Sequence, residues 1–108
     1  MTSSLEGVIA DAIRTRRRLR LVYQRKSDEV VSVHEVAPID IQPGDTPRTA
    51  TTRYVWAWCF AEDKLERHLL DRVLKAQTLE SGFNPEEILR RWPEGWPRPT
   101  GWTISRDW

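Results

Sequence analysis

The sequence RYVWAWCFAEDKLERHLLDRV, residues 53–73, contains the clearest β-strand pattern of this chain. Strand side chains alternate between two faces. One face of the first half therefore carries four aromatic residues and the other four small ones: Tyr54, Trp56, Trp58 and Phe60 against Val55, Ala57, Cys59 and Ala61. Because both faces are apolar, we predict a central strand that is covered on both sides. Residues 62–64 form a polar turn, and residues 65–70 return as a second strand.

A helix is predicted before the strands. Residues 5–13 place apolar side chains at the spacing of one helix face. Ser3 is the predicted N-cap, with Glu6 three residues later completing a capping box. The arginines at positions 14, 16, 17 and 18 are interpreted as its basic C-terminal end, and a phosphate-facing patch is the alternative interpretation.

Three further strands are predicted around this hairpin. They cover residues 19–24, 30–41 and 71–79, with residues 42–52 as a loop rich in turn formers. Pro38 cannot donate to a strand ladder, which predicts a bulge or an edge there. Helix-like spacing leaves a helical alternative open for residues 71–79.

A second helix is predicted near the C-terminus. Asn84 is its N-cap, Pro85 occupies the first helical position, and Pro93 ends it after Trp92. Phe83 and Ile88 are placed to form a hydrophobic staple. Beyond it, three tryptophans lie among prolines and glycines at positions 96, 102 and 108. We expect them to pack on the domain or on a partner, because exposed tryptophan is costly in water.

The predicted fold class is mainly β with flanking helices (α+β). An N-terminal helix precedes a five-stranded, Sm-like small barrel, and a short C-terminal helix and a Trp-rich tail follow it. We assign residues 1–80 to the barrel with its helix and residues 81–108 to an extension packed on the barrel.

Four short motifs resemble the WYL domain family when they are taken in order. They are Asp11-Ala12-Ile13, then residues 19–23 ending in Tyr23, then Val36-Ala37-Pro38, and finally Leu70-Asp71-Arg72-Val73. The resemblance runs from about residue 5 to residue 79 and implies the Sm-like fold. It also implies a regulatory module that senses a nucleic-acid or nucleotide ligand, as in WYL domains of bacterial and phage-related transcription regulators.

The resemblance implies a ligand site at six polar residues: Tyr23, His34, Arg67, His68, Asp71 and Arg72. Tyr23 and Arg72 match the family pattern directly. His34 stands where relatives carry arginine, Glu66 and His68 stand where they carry arginine and phenylalanine, and Arg53 replaces a tryptophan. The basic pocket is therefore partly altered, and each of the six residues also has an ordinary structural interpretation.

Composition limits the other functions. The 108 residues carry a formal net charge of +1, so bulk charge does not predict a polyanion partner. One cysteine excludes an intrachain disulfide and fits a reducing compartment. No apolar run approaches the roughly 20 residues of a membrane helix, so we predict a cytoplasmic protein without a membrane partner.

Catalytic and metal chemistry are not predicted from the sequence. A Cys59–His68 nucleophile pair is conceivable, but a cysteine between Trp58 and Phe60 in apolar surroundings is usually inert. The two histidines lie on different predicted strands, and two neutral imidazoles alone make a poor metal site. We therefore predict no enzyme, no metal site and no cofactor.

Two functional hypotheses follow. In the first, the chain is a ligand-binding module for single-stranded nucleic acid or a nucleotide, with arginines for phosphate and aromatic rings for bases. In the second, it is an interaction module that binds another protein or forms a homo-oligomer through its Trp-rich tail. Capping of the first helix right after Met1 favours a standalone domain over a fragment.

Overall fold

The computed structural model describes residues 4–44 and 46–95. The Trp-rich tail, residues 96–108, lies outside the described residues, and so does its expected packing. Within the described ranges, two helices, five strands and one 3-10 turn follow in chain order: α1 Leu5–Thr15, β1 Arg17–Gln24, β2 Val31–Pro43, β3 Arg53–Cys59, β4 Lys64–Leu69, the 3-10 turn Leu70–Arg72, β5 Val73–Gly82 and α2 Pro85–Arg90.

The five strands form one antiparallel sheet in the order β4-β3-β2-β1-β5. The mainly β class with flanking helices is therefore confirmed. The division proposed after residue 80 falls inside β5, which ends at Gly82. None of the described helices is both long enough and apolar enough to cross a membrane.

Strand β3 has both faces buried, as its alternating pattern predicts. Val55, Ala57 and Cys59 pack in a core with α1 and β1. Trp56 and Trp58 pack in a second core with α2 on the opposite face. The strand lies between β2 and β4, and it ends at Cys59 rather than Ala61.

The ends of α1 differ from the sequence prediction. The N-cap is Ser4, whose Oγ accepts a 3.0 Å hydrogen bond from the Gly7 backbone N–H, so the predicted Ser3 cap is wrong. Glu6 forms an ion pair with Arg53 instead of closing a capping box. A capping serine can be either of two adjacent serines until the backbone of the first turn is known.

Only Arg14 of the arginine cluster lies in the last turn of α1. Arg16 caps the helix with a left-handed backbone, at a φ of 56°. Arg17 and Arg18 already belong to β1. The guanidinium carbon of Arg18 lies 3.9 Å from the Phe60 ring centroid, and its Nε donates to the Gly82 carbonyl. The cluster is therefore divided between a helix end and a strand.

The register of β2 shifts between Pro38 and Asp40, which confirms the predicted irregularity at Pro38. β2 continues to Pro43, beyond its predicted end at residue 41. The fifth strand begins at Val73 instead of Asp71, because residues 70–72 form a 3-10 turn, and the helical alternative is wrong.

Helix α2 begins as predicted. The Asn84 Oδ1 accepts a hydrogen bond from the Glu86 backbone N–H at 3.0 Å, and Pro85 is the first helical residue. The helix ends at Arg90, two residues before the predicted end. Trp92 is buried and stacks on Trp56 of β3, with ring centroids 6.4 Å apart and an interplanar angle of 13°.

Candidate ligand site

A depression of about 570 Å³ opens beside strands β1, β2 and β4. Three of the six predicted site residues, Tyr23, His34 and His68, meet there, and Arg67 also contributes to its lining. The complete lining is Tyr23, Arg25, Ser32, His34, Glu62, Lys64, Leu65, Glu66, Arg67 and His68.

Strand registers explain why these residues meet. His34 of β2 pairs with Leu21 of β1, and Tyr23 pairs with Ser32. On the other side, His68 pairs with Val55. Residues that pair directly across a ladder point to the same face of the sheet. The polar group therefore continues the face whose apolar part forms the core under α1.

Tyr23 connects β1 to β4, which are not neighbours in the sheet order. Its hydroxyl accepts a 3.2 Å hydrogen bond from the Leu69 backbone N–H. Its ring lies 4.6 Å from the His68 ring and 6.5 Å from the His34 ring, measured between centroids. The phenol thus packs against His68 while it completes a contact between two strands.

Glu66 lies between the two histidines. Its Oε1 is 3.8 Å from Nδ1 of His34 and 3.7 Å from Nε2 of His68. The opposite nitrogen of the His34 ring, Nε2, shares a 2.8 Å hydrogen bond with the Ser32 hydroxyl. His68 is 6% exposed, and its Nε2 and the Glu66 Oε1 are buried without a hydrogen-bond partner among the described residues.

The neighbouring His68 ring lowers the pKa of Glu66 to about 2, and partial burial opposes this shift. The Cys59 thiol and the charge of His34 also favour the carboxylate. Glu66 is consequently ionised throughout the neutral range.

Burial raises the pKa of the Cys59 thiol, which is the opposite of what an activated cysteine nucleophile needs.

We expect acid to destabilise the protein through Glu66. Its pKa is about 2 when folded and 4.5 in its ordinary state, so its contribution is present above about pH 4.5 and is lost as the pH falls towards 2. After allowance for solvent screening, the contribution is about 1–2 kcal/mol. Glu66→Gln should flatten the dependence of unfolding free energy on pH between 4.5 and 2, measured by urea denaturation in the presence of EDTA. An equally steep dependence in the variant would assign the effect to other carboxylates.

The remaining predicted site residues are placed differently. The guanidinium carbon of Arg67 lies 4.7 Å from the Tyr54 ring centroid and 5.6 Å from that of Trp56, which belong to the opposite face of β3. Asp71 is exposed and Arg72 half-buried on the 3-10 turn after β4, outside the lining of the depression. Their part in ligand binding stays a prediction.

From the sequence, Glu66 was interpreted only as an acidic residue in place of a family arginine, and it was not included in the predicted site. Ser32, Arg25 and Lys64 were also missed. A period-two pattern links Ser32 with His34 and Glu66 with His68, but no sequence pattern shows that these two strand segments lie together.

A second depression, of about 580 Å³, lies where β1 and β3 meet the start of α2. Its lining is mostly aromatic and basic, and includes Arg18, Trp58, Phe60, Phe83 and Arg91. None of the six predicted site residues lines it.

Comparison with known protein families matches residues 5–78 to the WYL domain. This chain belongs to the WYL domain family. The matched residues extend from α1 into β5 and contain all the residues of the depression around Glu66. The family resemblance suggested by the sequence motifs is therefore confirmed, and WYL domains are regulatory modules.

Among solved structures, this WYL domain is similar to proteasome accessory factor B/C (PafBC) of Arthrobacter aurescens. The TM-score is 0.61 and the sequence identity is 27%. The match covers 72% of this chain but 11% of that protein, so the likeness concerns one domain of a much longer chain. No curated protein sequence matches this chain.

Proposed function

We propose that this WYL domain is a cytoplasmic ligand-sensing module that binds single-stranded nucleic acid or a nucleotide at the depression around Glu66. The observation that carries the proposal is the convergence of Tyr23, His34 and His68 beside two exposed cationic side chains at its rim, Lys64 and Arg67. A third cation of the lining, Arg25, is paired with Asp28. Family membership supports a regulatory role, and the similarity to a proteasome accessory factor is consistent with one.

Rim cations can bind phosphate, and aromatic rings supply stacking surfaces for bases. Tyr23 and the two imidazoles are the rings that line the depression, and they are the surfaces available to an unstacked base whose phosphate is bound by Lys64 or Arg67. The combination favours single strands or nucleotides over duplex DNA.

Glu66 restricts where a phosphate can bind. Since its pKa is about 2, the floor of the depression carries a negative charge at neutral pH. A phosphate is therefore expected at the rim, near Lys64 and Arg67, rather than between the histidines.

Fluorescence anisotropy with labelled 12-nucleotide single-stranded DNA and RNA, at low and at physiological salt, tests the proposal. We expect affinity to fall steeply with salt, because phosphate contacts release counterions. The double variant Lys64→Ala/Arg67→Ala should bind at least about tenfold more weakly and with a shallower salt dependence.

Lys75→Ala is the matched control, because Lys75 is exposed on β5 and pairs with Val22, on the face away from Tyr23. Arg72→Ala tests whether the 3-10 turn belongs to the site, as the family resemblance implies. Equal affinity in wild-type protein and the double variant would contradict the proposed location, and absence of binding at low salt would contradict the ligand class.

An interaction module is the second candidate. Exposed apolar side chains on β2 favour it: Val31 is 52% exposed and Val33 is 63% exposed. Under this alternative, deletion of residues 95–108 abolishes assembly detected by light scattering, whereas under the first proposal the deletion leaves oligonucleotide binding unchanged.

A further inference from the structure

We propose that His34, Glu66 and His68 form a binding site for one divalent transition-metal ion of the zinc class. The Nδ1 of His34, a carboxylate oxygen of Glu66 and the Nε2 of His68 all lie within 4.8 Å of one another. The cluster lies in the same depression as the function proposed above, but metal uptake does not require a nucleic-acid ligand, so either proposal can fail without the other.

The donor set matches zinc chemistry. Two imidazole nitrogens and one carboxylate are a known protein ligand set for zinc, with bonds of about 2.0–2.2 Å and a further position open to water. Such bonds place neighbouring donor atoms about 3.4 Å apart in a tetrahedral site. The distances from the Glu66 Oε1 to the two histidine nitrogens, 3.7 and 3.8 Å, are a few tenths of an ångström wider, and the three donors lie within 4.8 Å of one another. Metal binding therefore requires the two imidazoles to rotate towards each other.

The unpartnered atoms point to a ligand. The Nε2 of His68 and the Oε1 of Glu66 are buried without a hydrogen-bond partner among residues 4–44 and 46–95, although each faces the other. Buried polar groups are nearly always paired, because leaving one unpaired is costly. A cation between them would satisfy both atoms at once, whereas a direct hydrogen bond would need a shorter separation than 3.7 Å.

Neighbouring side chains hold the two histidines in place. Ser32 holds the Nε2 of His34 at 2.8 Å, so when that nitrogen carries the proton, the Nδ1 facing Glu66 keeps its lone pair. Metal-binding histidines are usually oriented in this way through their second nitrogen. The Tyr23 ring lies against His68, and its hydroxyl contact with Leu69 fixes it in place.

The depression leaves room for further ligands. All three residues line the depression, so a water molecule that enters from it can complete the coordination. The three proposed ligands supply nitrogen and oxygen donors and no thiolate. This composition suits Zn²⁺, Co²⁺ or Ni²⁺ better than Ca²⁺ or Mg²⁺, which prefer all-oxygen sites.

Isothermal titration of the untagged, EDTA-treated full chain with zinc chloride tests the site. We expect one equivalent to bind with a micromolar or tighter dissociation constant, and the thermal unfolding midpoint to rise with zinc concentration. Co²⁺ should give visible absorption bands of a site with nitrogen and oxygen ligands. Absence of stoichiometric uptake by the wild-type protein would overturn the proposal.

Variants locate the ion. Glu66→Gln and His34→Gln should each weaken zinc binding at least tenfold, and Ser32→Ala should weaken it less. Glu62→Gln is the control, since Glu62 lines the same depression without belonging to the cluster. His68→Gln tests the third ligand, provided that near-ultraviolet circular dichroism shows that this variant folds. Unchanged affinity in both Glu66→Gln and His34→Gln would place the ion elsewhere and overturn the assignment.

Discussion

Trp92→Ala is expected to lower the free energy of unfolding by about 3–5 kcal/mol. Trp92 is 7% exposed and stacks on Trp56, so its removal opens a cavity between α2 and the sheet. α2 has six residues and is too short to be stable without packing. Urea denaturation followed by circular dichroism measures the loss.

Two substitutions make this result specific. Trp92→Phe keeps an aromatic ring in the second core and should recover most of the lost stability. Arg90→Ala changes an exposed residue of the same helix and should have an effect within about 0.5 kcal/mol. A loss below about 1 kcal/mol in Trp92→Ala would mean that other contacts hold α2 on β3.

Leu21→Ala should lower the free energy of unfolding by about 2–5 kcal/mol. Leu21 is fully buried in the core between α1 and the sheet, and it pairs with His34. The cavity would therefore lie next to the candidate ligand site as well as in the core. Urea denaturation gives the stability change.

Leu74→Ala is the matched control for Leu21→Ala. Leu74 is also a strand leucine, but it is 55% exposed, and its truncation removes little buried surface. We expect a change within about 0.5 kcal/mol. Similar losses in the two variants would indicate that Leu21 contributes through strand propensity rather than through burial.

The sequence predicted the elements whose patterns are local. The alternation in β3 is visible within seven residues, and the Asn84-Pro85 start of α2 depends on adjacent positions. The same holds for Pro38, whose missing N–H disturbs any ladder. Element ends were less predictable, because the choice of Ser4 as the cap and the 3-10 turn at residues 70–72 depend on how the chain packs.

The candidate site was only partly predictable. The family resemblance pointed to Tyr23, His34 and His68, which the structure brings together. Glu66 joins them through the β3–β4 register, more than 30 residues from His34 in the chain. In the sequence alone, an acidic residue in place of a family arginine indicates only the loss of a positive charge. In the structure, the same carboxylate lies between two basic imidazole rings.

The burial of Cys59 has a practical use in spectroscopy. It is the chain's single cysteine, it is 1% exposed, and burial raises its thiol pKa, so thiol-directed reagents should leave it unmodified in the native protein. A cysteine introduced at Ser27, which is exposed in the turn between β1 and β2, would then react alone with a maleimide dye or spin label. One probe can thus be attached in the turn that follows Arg25, a residue of the site's lining, without removing the native cysteine.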